Sequence, residues 1–119
     1  SAVKAVDRII DIFPSSQKGQ IRSMMSESLE AVIAQKLLQT KDKKTRMPAL
    51  EIMIATTAIR NLIREDRIYQ IPSVMQAGGV EGMQTFDQDL QRLVSQGKIK
   101  RSAAAQIAEN PKLFGSNVL

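Results

Sequence analysis

The 119-residue sequence contains no cysteine and no histidine. Without cysteine, the chain has neither a disulfide framework nor a thiolate zinc site. The absence of histidine removes the commonest metal ligand and the commonest general base. Carboxylates, lysines and serines are present, but no pattern groups them into a site. We therefore predict no catalytic residue and no metal-binding residue in this chain.

Aromatic residues make up only 3% of the chain, with no tryptophan and one tyrosine. The core must therefore be built from Ile, Leu, Val, Met and Ala, a mixture that favours helices packed on a small amount of sheet. The length allows one modest core, so we expect a single domain or a piece of a larger one. The sequence also lacks a signal-peptide pattern and a long apolar run, which predicts a cytoplasmic location and no transmembrane segment.

The net charge of +5 raises the question of an anionic partner. Clustered cations bind the phosphates of nucleic acids or of anionic membranes. The cations are scattered except in one predicted turn, which holds Lys41, Lys43, Lys44 and Arg46. Base-stacking aromatic residues are nearly missing, which disfavours nucleic acid as a partner. A charged turn is most often only solvated, and contact of this turn with anionic lipid is kept as an alternative.

Apolar residues recur at helical spacing along much of the chain. They predict a helix over residues 3–13 and a second helix capped by Ser15 or Ser16. A later helix is predicted to stop at Gly97, because glycine commonly ends helices. The tail, residues 112–119, has little to hold it and is predicted to fray.

Residues 34–54 have the pattern of two strands joined by a polar turn. Ala34–Leu38 is compatible with a strand, Thr40–Arg46 is polar, and apolar residues alternate with others over 49–54. This pattern predicts a β-hairpin, and the fold class is therefore mainly α with a small β-hairpin. Two strands alone are marginally stable in water, so we expect the hairpin to pack on helices or to join a larger sheet.

A short helix is predicted directly after the hairpin, capped by Thr56 or Thr57. Its predicted buried side consists of three apolar residues, Ile59, Leu62 and Ile63. Spacings of four and three residues bring side chains together on a helix surface. We therefore predict one exposed stripe of three arginines, Arg60, Arg64 and Arg67.

The run Ala-Ile-Arg-Asn-Leu-Ile-Arg-Glu at residues 58–65 resembles the signature of the type IV pilus retraction ATPases, the PilT family. Further blocks that resemble the family occur in the family's order, and the resemblance covers roughly residues 1–105. These blocks are Asp7–Pro14, Ser26–Leu29, Ala34–Leu38, Glu51–Ile54 and Gly82–Asp87. Extension and secretion relatives carry a four-cysteine zinc module near the hairpin. Here Gln39–Met47 is short and free of cysteine, which is typical of the retraction branch.

The resemblance implies that residues 1–119 are the C-terminal segment of a RecA-like α/β ATPase domain. It implies a parent that hydrolyses ATP with magnesium, assembles as a homo-hexamer, and powers pilus retraction and twitching motility. It also implies a cytoplasmic motor, peripheral at the inner membrane of a bacterium, whose partners are the pilus platform or pilus proteins. The chain has no Gly-x-x-x-x-Gly-Lys-Ser/Thr phosphate loop, so we expect this segment alone to bind no nucleotide and to be inactive. Since it lacks a starting methionine, we also expect it to begin within a longer polypeptide.

In this family the signature is linked to retraction, which implies a role in coupling to a partner. The polar residues are assigned to a partner-coupling surface and are Arg60, Asn61, Arg64 and Glu65. The apolar residues are assigned to packing and are Ala58, Ile59, Leu62 and Ile63. The alternative hypothesis is a stand-alone helical adaptor that binds an acidic protein or nucleic acid through the arginine stripe.

Overall fold

Short helices and one hairpin follow each other along the chain, in a computed structural model that describes residues 1–115. The helices are α1 (Ala2–Asp11), α2 (Ser15–Ser28), α3 (Thr57–Arg64), α4 (Ile71–Ala77), α5 (Phe86–Ser95) and α6 (Arg101–Ile107). Strands β1 (Ala31–Gln39) and β2 (Arg46–Ile54) pair as an antiparallel hairpin. The predicted class, mainly α with a small β-hairpin, is confirmed. No helix in residues 1–115 has the length and apolarity needed to cross a membrane.

The chain divides into two compact units, and each has its own buried side chains. The first unit comprises Ser1–Ala34 and Ile52–Gln84, and the second comprises Gln35–Glu51 and the chain from Thr85 onward. The core of the first unit is entirely aliphatic and consists of Ala2, Val6, Ile10, Met53, Ile59, Ile63, Ile71, Met75 and Met83. In keeping with the low aromatic content of the sequence, this core contains Ala, Val, Ile and Met and no aromatic side chain.

Helix α1 begins with a cap, whereas α2 begins without one. The backbone N–H of Lys4 donates to Ser1 Oγ at 3.2 Å, which satisfies one of the unpaired amides at the start of α1. The predicted capping of α2 by Ser15 or Ser16 is wrong. Helix α2 starts at Ser15 directly after Pro14, and no side chain caps it. Proline sets the backbone angle at this point, so the two helices are separated without a capping hydroxyl.

Helix α4 ends at a glycine in a crowded position. A Cβ added at Gly78 would lie 2.6 Å from Met83 Cε and 3.0 Å from the carbonyl oxygen of Val74. The φ angle of Gly78 is −92°, so crowding rather than an unusual backbone angle disfavours a side chain, although the flexible end of Met83 could shift. The following loop returns to the hairpin, where Ile52 and Gln84 exchange backbone hydrogen bonds of 2.9 and 3.0 Å.

The second unit is built around α5. Its start is a capping box, in which Gln88 N–H donates to Thr85 Oγ1 at 3.2 Å and Thr85 N–H donates to Gln88 Oε1 at 3.0 Å. After α5, Gly97 adopts a φ of +71°, so the predicted stop at this glycine is confirmed. The larger buried apolar side chains of this unit are Leu38, Phe86, Leu90, Leu93, Ile99 and Phe114.

Two buried carboxylates connect β2 to α5 within the second unit. Asp89 is 2% exposed; its Oδ2 accepts from Leu50 N–H at 2.7 Å, and its Oδ1 accepts from Arg92 Nε at 2.8 Å. Glu51 is also buried, and its Oε1 accepts from Phe86 N–H at 3.3 Å. Since a buried polar group is costly without a partner, these bonds fix the strand against the helix.

The end of the described chain is a 3-10 helix, Pro111–Phe114, whose Phe114 is buried. Asp87 fixes the two residues that precede this helix. Its two carboxylate oxygens accept hydrogen bonds of 2.9 Å from the backbone N–H groups of Glu109 and Asn110. The predicted fraying of residues 112–119 concerns in part residues 116–119, which lie outside the described residues.

The hairpin turn is held by a network around Thr40 and Asp42. Thr40 Oγ1 donates to Asp42 Oδ1 at 2.6 Å, and Lys44 N–H donates to the same oxygen at 3.0 Å. Thr40 N–H also donates to Thr45 O at 2.9 Å, which closes the turn. The Thr40 hydroxyl, followed by the Lys44 amide, lowers the pKa of Asp42 below its ordinary value, because both stabilise the ionised carboxylate.

We predict that Asp89→Ala lowers the free energy of unfolding by about 1–3 kcal/mol, because the Leu50 amide loses its acceptor. The measurement is urea unfolding followed by circular dichroism, with the exposed Glu109→Ala as control. Equal unfolding midpoints for the two variants would contradict this role of Asp89.

We further predict that Thr40→Val raises the pKa of Asp42 toward the ordinary aspartate value of about 3.9. A lowered pKa in the folded turn means that the bond network adds stability above about pH 4 and loses it as the pH falls through the lowered pKa. Carboxyl-detected NMR titration of both proteins measures the change, with the exposed Thr57→Val as control. An unchanged pKa in Thr40→Val would show that the hydroxyl is not the cause.

Candidate partner-binding site

Helix α3 carries the predicted site and is positioned by one cap and two buried isoleucines. Ile59 N–H donates to Thr56 Oγ1 at 3.4 Å, so Thr56 is the capping residue of the two that were predicted. Ile59 and Ile63 are fully buried and lie one helical turn apart, as predicted. Leu62 is half-buried beside them. The apolar side of α3 therefore faces the core of the first unit.

Ala58, the fourth residue assigned to packing, is exposed in the first turn of α3. It immediately precedes Ile59, and consecutive residues on a helix point about 100° apart. The burial of Ile59 therefore leaves the methyl group of Ala58 at the surface of the first unit.

Arg60 lies against the end of α2. Its Nη1 donates to Ser26 O at 2.7 Å and to Glu27 O at 3.2 Å. Its Nη2 is 3.8 Å from Glu30 Oε2, and its side chain is 25% exposed. The last carbonyl groups of a helix have no partner within the helix, and a cation there also interacts favourably with the helix dipole. Arg60 thus supplies a C-terminal cap to α2 from a distant part of the sequence.

A second ion pair joins α2 to the chain just beyond α3. Arg22 Nε is 3.3 Å from Asp66 Oδ1, although the two atoms are not aligned for a hydrogen bond. Asp66 has a φ of +59°, a left-handed conformation that an aspartate tolerates better than most residues. We therefore regard the Arg22–Asp66 ion pair as a second, weaker contact between α2 and the end of the α3 segment.

The predicted stripe of three exposed arginines on one helix is wrong. Helix α3 ends at Arg64, and the left-handed Asp66 turns the chain before Arg67. Arg67 is paired instead with Glu65 at the surface, where its Nη1 is 3.8 Å from Glu65 Oε2. Since Arg60 is held against α2, only Arg64 of the three arginines is both on α3 and exposed.

The exposed polar surface of the signature consists of Asn61, Arg64 and Glu65. Arg64 Nη1 donates to Asn61 Oδ1 at 2.9 Å, one turn apart on the helix. This arrangement offers hydrogen-bond donors and acceptors, and a guanidinium that can pair with a carboxylate. It contains no hydroxyl or thiol group, and residues 1–115 contain no group of three or more acidic residues that could hold a metal ion. The surface is therefore suited to binding a polar or charged group of a partner.

The residues of α2 that receive Arg60 were missed from the sequence. Ser26 lies 34 positions before Arg60, and the bond uses its backbone oxygen, so no side-chain pattern marks it. The side chain of Ser26 is itself buried, and its Oγ donates to Ser23 O at 2.7 Å. Only the fold brings these groups together.

Two curated sequences similar to this chain have names that refer to twitching motility or to type IV pilus retraction. A twitching motility protein of Neisseria gonorrhoeae is 56% identical over 109 residues, which cover 92% of this chain and 29% of that protein. A type IV pilus retraction ATPase PilT of Pseudomonas aeruginosa is 50% identical over 114 residues, which cover 96% of this chain and 33% of that protein. The chain thus spans about a third of the length of these relatives. No protein-family model matches it.

Among solved structures, the pilus retraction motor PilT with bound ADP is similar to this chain, with a TM-score of 0.81 and 39% sequence identity. The match covers 94% of this chain and 31% of the PilT chain. This match confirms the second part of the predicted fold class, the C-terminal portion of an α/β ATPase domain.

We predict that Arg60→Ala lowers the free energy of unfolding by about 1.5–3 kcal/mol, because two carbonyl groups lose a charged donor. Arg64→Ala, on the same helix but exposed, is the matched control and is expected to change stability by no more than about 0.5 kcal/mol. Urea unfolding of both variants makes the comparison. Equal losses would contradict the assignment of Arg60 as the cap of α2.

Proposed function

We propose that this chain, which belongs by sequence and fold to the PilT family of type IV pilus retraction ATPases, is part of an ATP-driven motor that retracts pili and powers twitching motility. The observation that carries the proposal is the 50% identity to PilT over 96% of this chain, with residues 58–64 of the signature lying on helix α3. The relatives are about three times longer than the chain, so the activity proposed belongs to the longer protein.

Hydrolysis in this proposal takes place outside residues 1–119. The parent would use ATP and magnesium, since ATPase is part of the name of the Pseudomonas relative and ADP is bound in the solved PilT. A phosphate loop is absent from the sequence, and without such a loop a segment has no cradle for the nucleotide phosphates. We therefore assign the chain a mechanical part in the motor and expect no activity from it alone.

The proposed role of α3 is to transmit movement to a partner. Its buried isoleucines and the Arg60 bonds fix it to the core and to α2, so that these elements move together. Its exposed residues, Asn61, Arg64 and Glu65, would contact the partner. Arg60, included in the contact surface on sequence grounds, would act mainly by holding the helix in place. The expected partner is an inner-membrane platform protein or a pilus protein that presents a carboxylate to Arg64.

The assembly proposed is a homo-hexamer in the cytoplasm, peripheral at the inner membrane of a bacterium. In a symmetric ring, each subunit contacts its neighbour through the same surface, so a movement in one subunit acts on the same part of the next. The exposed part of α3 would then be repeated around the ring, and weak contacts repeated in this way gain effective affinity.

The second candidate, a stand-alone adaptor that binds an acidic protein or nucleic acid, depended on a stripe of three arginines. The fold places only Arg64 of these on an exposed face of α3, which leaves that candidate with less support. A reading frame that runs continuously through Ser1 and encodes a phosphate loop upstream would exclude it.

We predict that Asn61→Ala combined with Arg64→Ala in the full-length protein leaves ATP hydrolysis within about twofold of the original rate and reduces twitching at least about tenfold. The physical reason is that these side chains lie outside the core, so that their loss affects contact with the partner and not folding. The measurements are phosphate release by the purified protein and twitching-zone diameter of the mutant strain.

Arg67→Ala, an exposed arginine just beyond α3, is the matched control and is expected to leave twitching unchanged. Normal twitching in the double variant would contradict the coupling role. A parallel loss of hydrolysis would also contradict it, because it would show that these residues serve the catalytic cycle.

A further inference from the structure

The net charge of the chain lies in one of its two units. Residues 35–51 and 85–119, which form the second unit, contain ten Lys and Arg against five Asp and Glu. The first unit contains seven of each and is therefore neutral. The excess of +5 for the whole chain is thus the excess of the second unit.

Within the second unit, the hairpin turn meets the segment that follows α5. The backbone N–H of Lys41 donates to Lys98 O at 2.8 Å, which holds the two segments together. Together they carry seven exposed cations, here named the basic tip: Lys41, Lys43, Lys44, Arg46, Lys98, Lys100 and Arg101. The bonds of Thr40 and Asp42 order the backbone of the turn, from which Lys41, Lys43 and Lys44 project.

The cations of the basic tip have no acidic partner in the part of the chain that the structure describes. Every ion pair found there uses other cations, namely Lys18, Arg22, Arg60, Arg67 and Arg92. Asp42 is the one carboxylate in the turn, and its Oδ1 already accepts bonds from Thr40 and Lys44 N–H. The seven cations lie on two segments that a backbone hydrogen bond joins, so their like charges repel, and an anionic surface would relieve that repulsion.

The composition of the basic tip favours a lipid surface over a protein or nucleic acid. Five of its seven cations are lysines, which act as point charges and need no fixed geometry, whereas lysine is depleted at protein interfaces. No aromatic residue belongs to the tip, so base stacking is not available. Leu37 is 55% exposed and lines a surface groove with Lys43, Lys44 and Arg46, so an apolar side chain accompanies the charges. Cation clusters of this size attract anionic phospholipids.

We propose that the basic tip binds the anionic phospholipid headgroups of a membrane surface, with Leu37 entering the headgroup layer. The cations would neutralise lipid phosphates, and salt would weaken the interaction because it screens them. The inference goes beyond the proposed motor function and does not depend on it. Binding to vesicles and loss of twitching are measured on separate variants. One measurement can therefore contradict the lipid-binding proposal, or the other the motor proposal, without affecting its counterpart.

The test is sedimentation of the 119-residue chain with phosphatidylcholine vesicles that contain 30% phosphatidylglycerol. The test variant changes Lys41, Lys43 and Lys44 to Gln. The matched control removes the same charge from exposed cations outside the tip, by changing Lys4, Arg8 and Lys112 to Gln. Circular dichroism shows whether each variant is folded, and pure phosphatidylcholine vesicles and duplex DNA serve as comparison ligands.

The test variant is expected to bind the anionic vesicles at least about tenfold more weakly than the original chain, since one cation near such a surface contributes roughly fivefold in affinity. The control is expected to lose less than about threefold, and binding of the original chain is expected to fall as salt is raised from 50 to 300 mM. Equal losses in the two variants, equal binding to neutral vesicles, or binding to DNA without binding to anionic vesicles would each overturn the proposal.

Discussion

The hydrogen bonds between Arg60 and the last turn of α2 connect two parts of the first unit that lie far apart in sequence. Helix α2 ends with carbonyl groups that no residue of its own helix can satisfy, and the Arg60 guanidinium satisfies two of them. In return, the cation is placed at the negative end of the helix dipole, and its charge needs no buried carboxylate. Because α3 is also anchored by Ile59 and Ile63, the exposed residues of the signature stand on a helix with little freedom to shift.

The two units differ in the way that they achieve stability and in the charge that they carry. The first has an aliphatic core and equal numbers of acidic and basic residues. The second buries Phe86 and Phe114 and holds β2 to α5 through the buried carboxylates of Glu51 and Asp89. Its surface retains all of the excess positive charge. The proposed mechanical coupling and the proposed electrostatic attraction therefore belong to different parts of one short chain.

Periodicity and capping residues were enough to predict the hairpin and several of the helices. The stop at Gly97, the hairpin around residues 40–46 and the cap at Thr56 follow from local backbone chemistry, which acts over a few residues. The incorrect capping of α2 has a local cause as well, because Pro14 sets the start of that helix without help from a hydroxyl.

The site was predicted less completely than the fold. A helical spacing places Arg60, Arg64 and Arg67 together only if the helix continues, and the left-handed Asp66 ends that possibility. The direction of Arg60 depends on carbonyl groups of α2, which every residue type possesses and which no pattern can reveal. Contacts between side chains and distant backbone are therefore the part of this site that only the fold supplies.

The close contact between Arg60 and α2 has a consequence for genetics. Under the proposed motor function, a mutant allele at this position would be recovered in a screen for non-motile cells, although only 25% of the side chain is exposed. The phenotype should depend on temperature, mild in the cold and severe at higher temperature, because the substitution lowers the free energy of unfolding. An allele at Arg64 should show the same phenotype at every growth temperature, and this difference separates structural from contact residues without purification of the protein.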